Sequence, residues 1–97
     1  MIIVHDIFVC KPGNASKLAK KFKEAMSGFN ELVNIMTDMT GQFNRVIMVT
    51  QYENLTAYEK SWEKYSKESE EMKKMHEAMA GYQEMYLTGS REIYQVW

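Results

Sequence analysis

The sequence predicts an α+β fold in which helices cover one face of an antiparallel sheet. Strand-like apolar runs lie near both ends of the chain and in its middle, and amphipathic helical patterns separate them. The strand-like segments are short, nearly continuous apolar runs, whereas in the helical segments apolar residues recur every three or four positions. The chain has 97 residues, 45% of them hydrophobic and 26% charged, so we expect one globular domain spanning residues 1–97.

The first strand is predicted over residues 1–10. Apolar residues occupy its even and its odd positions, which is typical of a strand covered on both faces. Pro12 ends the strand because proline has no N–H for a ladder hydrogen bond, and Asn14 is a favoured helix N-cap. From Ala15 the apolar spacing predicts a helix that ends near Gly28.

An antiparallel hairpin is predicted in the middle of the chain. Residues 32–39 form its first strand, residues 40–42 its turn and residues 43–52 its second strand. Two strand-like runs joined by so few residues pair as neighbours.

The second helical region is predicted to begin after an Asn54 N-cap and to bend before it ends at residue 82. One straight helix over that range would be ~42 Å long, which is too long for a domain of this size. We therefore predict a break between Ser66 and Ser69, with either serine capping the second piece. Residues 88–90 are predicted as a loop and residues 91–97 as the fourth strand.

The resulting order, βαββαβ, predicts the ferredoxin-like arrangement, a four-stranded antiparallel sheet with both helical regions on one face. The strands nevertheless carry apolar residues on both faces. Contiguous apolar surface of that extent marks an interaction site. We therefore expect a homodimer in which two sheets pack face to face.

Composition excludes several classes of function. The formal net charge of -1 argues against a nucleic-acid partner. Cys10 is the one cysteine, so we expect no internal disulfide, no zinc site and a reducing, cytoplasmic location. The apolar runs are shorter than a membrane helix requires, and the start of the chain does not resemble a signal peptide, so we expect no membrane partner.

Three stretches resemble the dimeric α+β-barrel superfamily, which includes antibiotic-biosynthesis-type monooxygenases, NIPSNAP-type domains and a haem-degrading branch. Residues 9–13 are similar to its first strand and Lys-Pro-Gly turn. Residues 49–62 are similar to its third strand, which enters a helix with an aromatic pair, and residues 91–96 are similar to its last strand. The resemblance implies the dimeric α+β-barrel fold, with a ligand pocket between the sheet and the helices of each subunit.

The resemblance also implies two kinds of chemistry. The monooxygenases of this superfamily oxidise polycyclic aromatic substrates without metal or flavin. The haem-degrading branch binds haem in the same pocket with a helix histidine as iron ligand, a helix tryptophan and a first-strand asparagine. The matching positions are His76, Trp62 and Asp6, with aspartate replacing asparagine and His76 lying fourteen residues beyond Trp62, a longer spacing than the family's.

Asp6 and His76 are the candidate catalytic residues. Asp6 and His5 are adjacent on a strand and therefore point to opposite faces. A charge among apolar residues needs a partner, so Asp6 either forms an ion pair with Arg45 or Arg91 or acts as a general base. His76 borders a methionine stripe and is either a boundary histidine, a base, or the iron ligand if haem is bound.

The expected substrate-binding residues are aromatic. The aromatic spacing predicts Trp62 as a core residue, a role that is compatible with a second one as a pocket wall that stacks on a flat ligand. Tyr58, Tyr65 and Phe8 complete this set.

Three functions remain open from the sequence. The first is a homodimer that binds a small hydrophobic or aromatic ligand, with a cofactor-independent monooxygenase acting on an aromatic or quinol-like substrate as its specific form. The second is a haem-binding or haem-degrading protein with His76 as ligand. The third is a non-enzymatic NIPSNAP-like or stress-associated dimer. The first requires no cofactor, and the second requires haem.

Overall fold

A computed structural model describes residues 1–41, 43–67 and 69–97. Its elements confirm the predicted α+β, ferredoxin-like order, with the second helical region divided in two. In chain order they are β1 (Ile2–Cys10), α1 (Ala15–Met26), β2 (Leu32–Thr37), β3 (Arg45–Tyr52), α2 (Leu55–Ser66), α3 (Glu70–Ala78), a 3₁₀ turn (Tyr82–Glu84) and β4 (Tyr86–Gln95).

The sheet is antiparallel throughout, with the strand order β2-β3-β1-β4. β1 therefore lies between β3 and β4, and its register sets which side chains share a face. Val4 pairs with Thr50 on β3 and with Ile93 on β4. Even-numbered β1 residues face the helices, as shown by the Phe8 and Phe22 rings, whose centroids lie 4.9 Å apart.

The core lies between this face of the sheet and α1. Leu18 and Phe22 of α1 are fully buried, and they pack with Cys10 and Val46 from β1 and β3. The helical spacing of three and four places such residues on one stripe, as the sequence predicts. Cys10 is thus a core residue.

The helix α3 packs against α1 through a second apolar cluster formed by Met26, Phe29 and Met72. The Lys21 ammonium also donates a hydrogen bond to the backbone carbonyl of Ala78, at 3.3 Å. That carbonyl lies in the last turn of α3, where backbone acceptors have no partner within the helix. The contact therefore stabilises the end of α3 and fixes it to α1.

The predicted starts of α2 and α3 are confirmed. The Asn54 side chain accepts a hydrogen bond from the Ala57 N–H at 2.8 Å, and the Ser69 hydroxyl accepts one from the Met72 N–H at 3.2 Å. Each bond satisfies a backbone donor that a helix start leaves free. Asn14 precedes α1 as predicted, but its side chain makes no capping bond. Within the predicted break, Glu68 lies outside the described residues.

The hairpin is shorter than the sequence predicts, because β2 ends at Thr37 and β3 begins at Arg45. The Asp38 carboxylate accepts a hydrogen bond from the Arg45 N–H at 2.6 Å. The Arg45 N–H is thus bonded to a side chain, and the backbone ladder of the hairpin ends at the pair Thr37–Val46. The predicted turn includes Gln42, which lies outside the described residues.

The prediction for the fourth strand is wrong at its start. β4 begins at Tyr86, so residues 88–90 belong to the strand and are not a loop. Gly89 pairs with Phe8, and a Cβ at this glycine would lie 3.3 Å from the Ile7 carbonyl oxygen. The missing side chain therefore allows the two strands to lie close together here, and Gly89 does not form a turn. The strand also ends earlier than predicted, at Gln95.

The end of the second helical region also differs from the prediction. The helix α3 ends at Ala78, and Gly81 follows with a φ of 81°. This left-handed conformation is favourable for glycine and stops the helix before the 3₁₀ turn. No helix within the described ranges has the length and apolarity that crossing a bilayer would require.

The other face of the sheet, which we call the open sheet face, points away from the helices. Its central residues are paired across β1 and β3, as in Ile7 with Ile47 and His5 with Val49. The His5 ring also contacts Tyr94, with centroids 5.2 Å apart. The structure thus contains the second apolar face that the strand patterns predict.

Phe22→Ala should lower the free energy of unfolding by about 3–5 kcal/mol, because it leaves a cavity at a fully buried position. Urea denaturation would measure the loss. Phe43→Ala is the matched control, since Phe43 is 80% exposed, and it should change stability by less than about 0.5 kcal/mol. Equal losses in the two variants would contradict this assignment of the core.

Candidate functional site

A cavity of about 330 Å³ lies between the helix-facing side of the sheet and the helices. Its innermost wall includes the buried residues Phe22, Met26 and Thr50. Three exposed residues, Trp62, His76 and Arg91, belong to the same lining and mark the side that opens to solvent. We call these three residues the mouth. The cavity is thus closed at the sheet and open between α2, α3 and β4.

The structure brings all the sequence-predicted site residues to this one cavity. The alternation of a strand puts two of them on the same face of β1, and helical spacing of three and four puts three of them on one side of α2. The sixth comes from α3. They are Asp6, Phe8, Tyr58, Trp62, Tyr65 and His76. Their shared location is observed, and their roles in binding or catalysis stay predictions.

Asp6 forms an ion pair with Arg91, one of its two predicted partners. The two residues are directly paired across β1 and β4, and the Arg91 Nε–H donates to Asp6 Oδ1 at 2.5 Å. The Asp6 side chain is only 14% exposed, whereas that of Arg91 is 44% exposed. Partial burial alone would lower the pKa of Arg91, but the hydrogen bond and charge of Asp6, together with the nearby Tyr58 and Tyr52, raise that pKa overall. The other predicted partner, Arg45, lies on the opposite face.

Arg91 also contacts Trp62 across the mouth. Its guanidinium carbon lies 4.9 Å from the centroid of the Trp62 ring, which is cation–π geometry. Trp62 is 49% exposed, so the prediction that it is a core residue is wrong. The helix α2 runs along the rim of the cavity there, and its half-exposed indole contacts the Arg91 guanidinium and the Tyr58 ring.

Tyr58 lies beneath this contact, between two aromatic rings. Its ring centroid is 5.1 Å from that of Tyr52 and 6.0 Å from that of Trp62, both in edge-on geometry. Its hydroxyl oxygen is buried and has no hydrogen-bond partner within the described part of the chain. Burial raises the pKa of the Tyr58 phenol, with the nearby Arg91 charge and the Trp62 indole N–H opposing the shift. Tyr58 therefore presents a neutral hydroxyl whose donor is unused.

Tyr65 is the deeper tyrosine of α2. Its hydroxyl donates to Glu31 Oε1 at 3.1 Å, and its ring packs edge-on against Phe29 with centroids 5.5 Å apart. Burial, together with the neighbouring Tyr52 and Glu31, raises the pKa of the Tyr65 phenol well above its ordinary value. These contacts occupy the hydroxyl, so the side chain contributes a fixed aromatic surface to the cavity.

His76 lies at the mouth on α3, next to Met75 and one turn before Met79 and Ala80. Its exposure fits a boundary histidine, and its place in the cavity lining fits a base. The described residues contain no group of three or more histidine, cysteine, aspartate or glutamate side chains that could hold a metal ion.

Sequence reasoning missed several lining residues, among them Thr50, Tyr52, Met48 and Tyr82. The sequence indicates Arg91 only as a structural partner for Asp6. The positions of the strand residues among these, and of Arg91, depend on the pairing of β1 with β3 and β4. The alternation within β3 was the available signal, because it places Met48, Thr50 and Tyr52 on one face.

The comparisons with known proteins agree with this architecture. The family model of NIPSNAP matches residues 6–88. The chain belongs to the NIPSNAP family. This match, together with the structures described next, confirms the resemblance to the dimeric α+β-barrel superfamily. Comparison with curated proteins gives no match.

Solved structures share the fold of this NIPSNAP-family chain at low sequence identity. A NIPSNAP family protein from Agrobacterium tumefaciens is 13% identical, with a TM-score of 0.78 over 97% of this chain and 90% of that one. A NIPSNAP domain protein from Burkholderia xenovorans is 10% identical, with a TM-score of 0.79. That match covers 100% of this chain and 95% of the other. A Nitrosomonas europaea protein provisionally described as an antibiotic biosynthesis monooxygenase is 10% identical, with a TM-score of 0.60. That match covers 99% of this chain and 98% of the other. At these identities the likeness establishes the fold alone.

The raised pKa of Tyr58 predicts a loss of stability in alkali. In the folded chain the pKa of this phenol lies above its ordinary value of 10.0. In the unfolded chain its pKa is about 10. The unfolded chain therefore releases this proton first, so the contribution to stability is complete below about pH 10 and is lost as the pH rises further. Urea unfolding at a series of pH values should show a shallower alkaline decline for Tyr58→Phe than for wild type. Identical slopes would contradict the burial of this phenol.

Proposed function

We propose that the chain binds a flat, hydrophobic aromatic molecule in the cavity. The observation that carries the proposal is one cavity with a largely aromatic and methionine lining, in which Trp62 and Tyr58 present ring surfaces at the open side. Small-molecule sites are mostly apolar concavities with a few polar groups. An apolar cavity of about 150 Å³ accommodates benzene, so about 330 Å³ fits a ligand of two fused rings.

We further propose that the protein is a homodimer that forms through the open sheet face. Ile7 and Ile47 are paired at the centre of that face, with Ile3 and Val9 beside them on β1. Apolar surface of this kind is normally buried against a partner. A second copy of the chain presents the same apolar face and is therefore complementary to it.

Ile47→Lys should convert the dimer into a monomer, because it places a charge at the centre of the proposed interface. Sedimentation velocity would measure the mass of the assembly. Leu55→Lys is the matched control, since Leu55 is an exposed aliphatic residue at the start of α2, and it should leave the dimer intact. A monomeric wild type, or dissociation by both variants, would contradict the proposed interface.

The reaction that we propose for this site is the oxidation of a phenolic ligand by dioxygen without a cofactor. Such chemistry needs a base that forms a phenolate and a site that excludes water around it. His76 is the better base, because the Asp6 carboxylate is already paired with Arg91. A phenol with a free ring position would take up one O₂ and release a quinone and one water. For 1-naphthol, the products are 1,4-naphthoquinone and water.

The haem alternative fits this cavity poorly. A tetrapyrrole has four rings, and at roughly 150 Å³ for each ring it needs far more than the space present. We therefore propose that aromatic ligands of two rings, and not haem, occupy the site.

The test is the binding and oxidation of 1-naphthol by purified protein. Trp62→Ala should weaken binding about tenfold in calorimetry, because the ligand loses an aromatic wall. Leu55→Ala on the same helix lies outside the cavity lining and should leave affinity unchanged. His76→Ala should abolish oxygen uptake in an oxygen electrode but retain binding.

Each contrary outcome points to a different function. Binding without oxygen uptake in wild type would support the non-enzymatic alternative. Absence of binding, combined with a saturable haemin Soret shift that His76→Ala removes, would support the haem alternative. Equal affinity in Trp62→Ala and wild type would contradict the cavity as the binding site.

A further inference from the structure

We propose that Arg91 gates the cavity and that Tyr58 is the hydrogen-bond donor which a neutral ligand oxygen meets once the gate opens. This inference rests on the proposed function, since it concerns the same cavity. It goes further by naming the ligand class, a neutral aromatic molecule with an oxygen acceptor. It also assigns entry of the ligand to Arg91 and retention of the bound ligand to Tyr58.

The gate consists of the Arg91–Trp62 contact. The guanidinium lies 4.9 Å from the ring centroid and joins β4 to α2 on the solvent side of the cavity. Both side chains are about half exposed. A cation–π contact at an exposed site is weak, so it opens readily. Asp6 holds the Nε side of the same guanidinium at 2.5 Å and thereby keeps Arg91 close to the mouth when the contact with Trp62 is broken.

The donor is the Tyr58 hydroxyl, which is buried and unpartnered within the described residues. A buried donor without an acceptor is unfavourable, and native structures rarely keep one without a reason. The Ser61 hydroxyl donates to the Tyr58 backbone carbonyl at 2.5 Å and makes no hydrogen bond with the Tyr58 hydroxyl. A ligand oxygen that accepts from Tyr58 would satisfy this group. The edge-on contacts with Tyr52 and Trp62 hold the ring in place for that bond.

The charge of the cavity selects a neutral ligand. Its lining contains one carboxylate, Asp6, and one guanidinium, Arg91, and these two charges are paired with each other. A ligand carboxylate would bring a second negative charge close to Asp6 and would compete for the same guanidinium. A ketone or phenol oxygen accepts the Tyr58 hydrogen bond without that competition.

The experiment measures association and dissociation rates by surface plasmon resonance on immobilised protein. The three ligands share the naphthalene ring system: 2-acetylnaphthalene has a neutral acceptor, 2-ethylnaphthalene has no oxygen, and 2-naphthoate is an anion. Arg91→Ala should raise the association rate of the ketone roughly two- to fivefold, because the gate is absent. Arg91→Lys keeps the charge beside Asp6 but loses the planar contact with Trp62, and it should act in the same direction.

Tyr58→Phe should have the complementary effect. It should leave the association rate of the ketone unchanged and raise its dissociation rate roughly three- to tenfold. The rates of 2-ethylnaphthalene, which accepts no hydrogen bond, should be unaffected. Wild type should bind 2-naphthoate more weakly than the ketone.

A readout without ligand tests the gate separately. In a Trp97→Phe background, Trp62 is the single tryptophan. Acrylamide should quench its fluorescence more strongly after Arg91→Lys, because the guanidinium no longer covers the ring.

The outcomes separate this inference from the proposed function. Binding of none of the three ligands would contradict the proposed function and this inference with it. Binding with unchanged association rates in both Arg91 variants would overturn the gate alone. Equal effects of Tyr58→Phe on the ketone and the hydrocarbon, or tighter binding of 2-naphthoate, would overturn the donor and the ligand class while the proposed function stands.

Discussion

The central position of β1 is the constraint on which the rest of the structure depends. β1 is hydrogen-bonded to β3 on one side and to β4 on the other, so its alternating side chains occupy the middle of both sheet faces. Asp6 and Phe8 consequently line the cavity, whereas Ile7 lies at the centre of the open sheet face. A register shift of one residue would exchange these sets. The pairing of one strand therefore decides which chemistry each face carries.

The same pairing makes a charge tolerable inside the cavity. Asp6 is largely buried, and an unpaired carboxylate there would be strongly unfavourable. Arg91 stands directly opposite it on β4 and supplies the compensating charge. Since the guanidinium also contacts Trp62, one side chain connects β1, β4 and α2. The cross-strand pair thus sets the charge of the cavity and the structure of its mouth together.

Local signals predicted much of the fold, and non-local contacts account for the errors. Asn54 and Ser69 are capping residues, and the helices begin beside them, because capping bonds involve backbone only a few residues away. Gly89 resembles a turn residue in sequence, yet it serves packing against a strand far away in the chain. In the site, periodicity and family resemblance predicted the aromatic lining. The exposure of Trp62 and the contact with Arg91 were not predictable, since they depend on where α2 crosses the sheet.

The cavity lowers the stability of a chain that has little core. Protein interiors are normally packed to near-crystalline density, and a short chain has little core with which to compensate for a void. Flexible methionines such as Met48, Met75 and Met79 adjoin the cavity, and larger side chains at those positions would fill it and increase stability. The buried hydroxyl of Tyr58 adds a second unfavourable feature at the same place. A ligand bound in the cavity would remove both unfavourable features, so its binding would raise the stability of the folded chain.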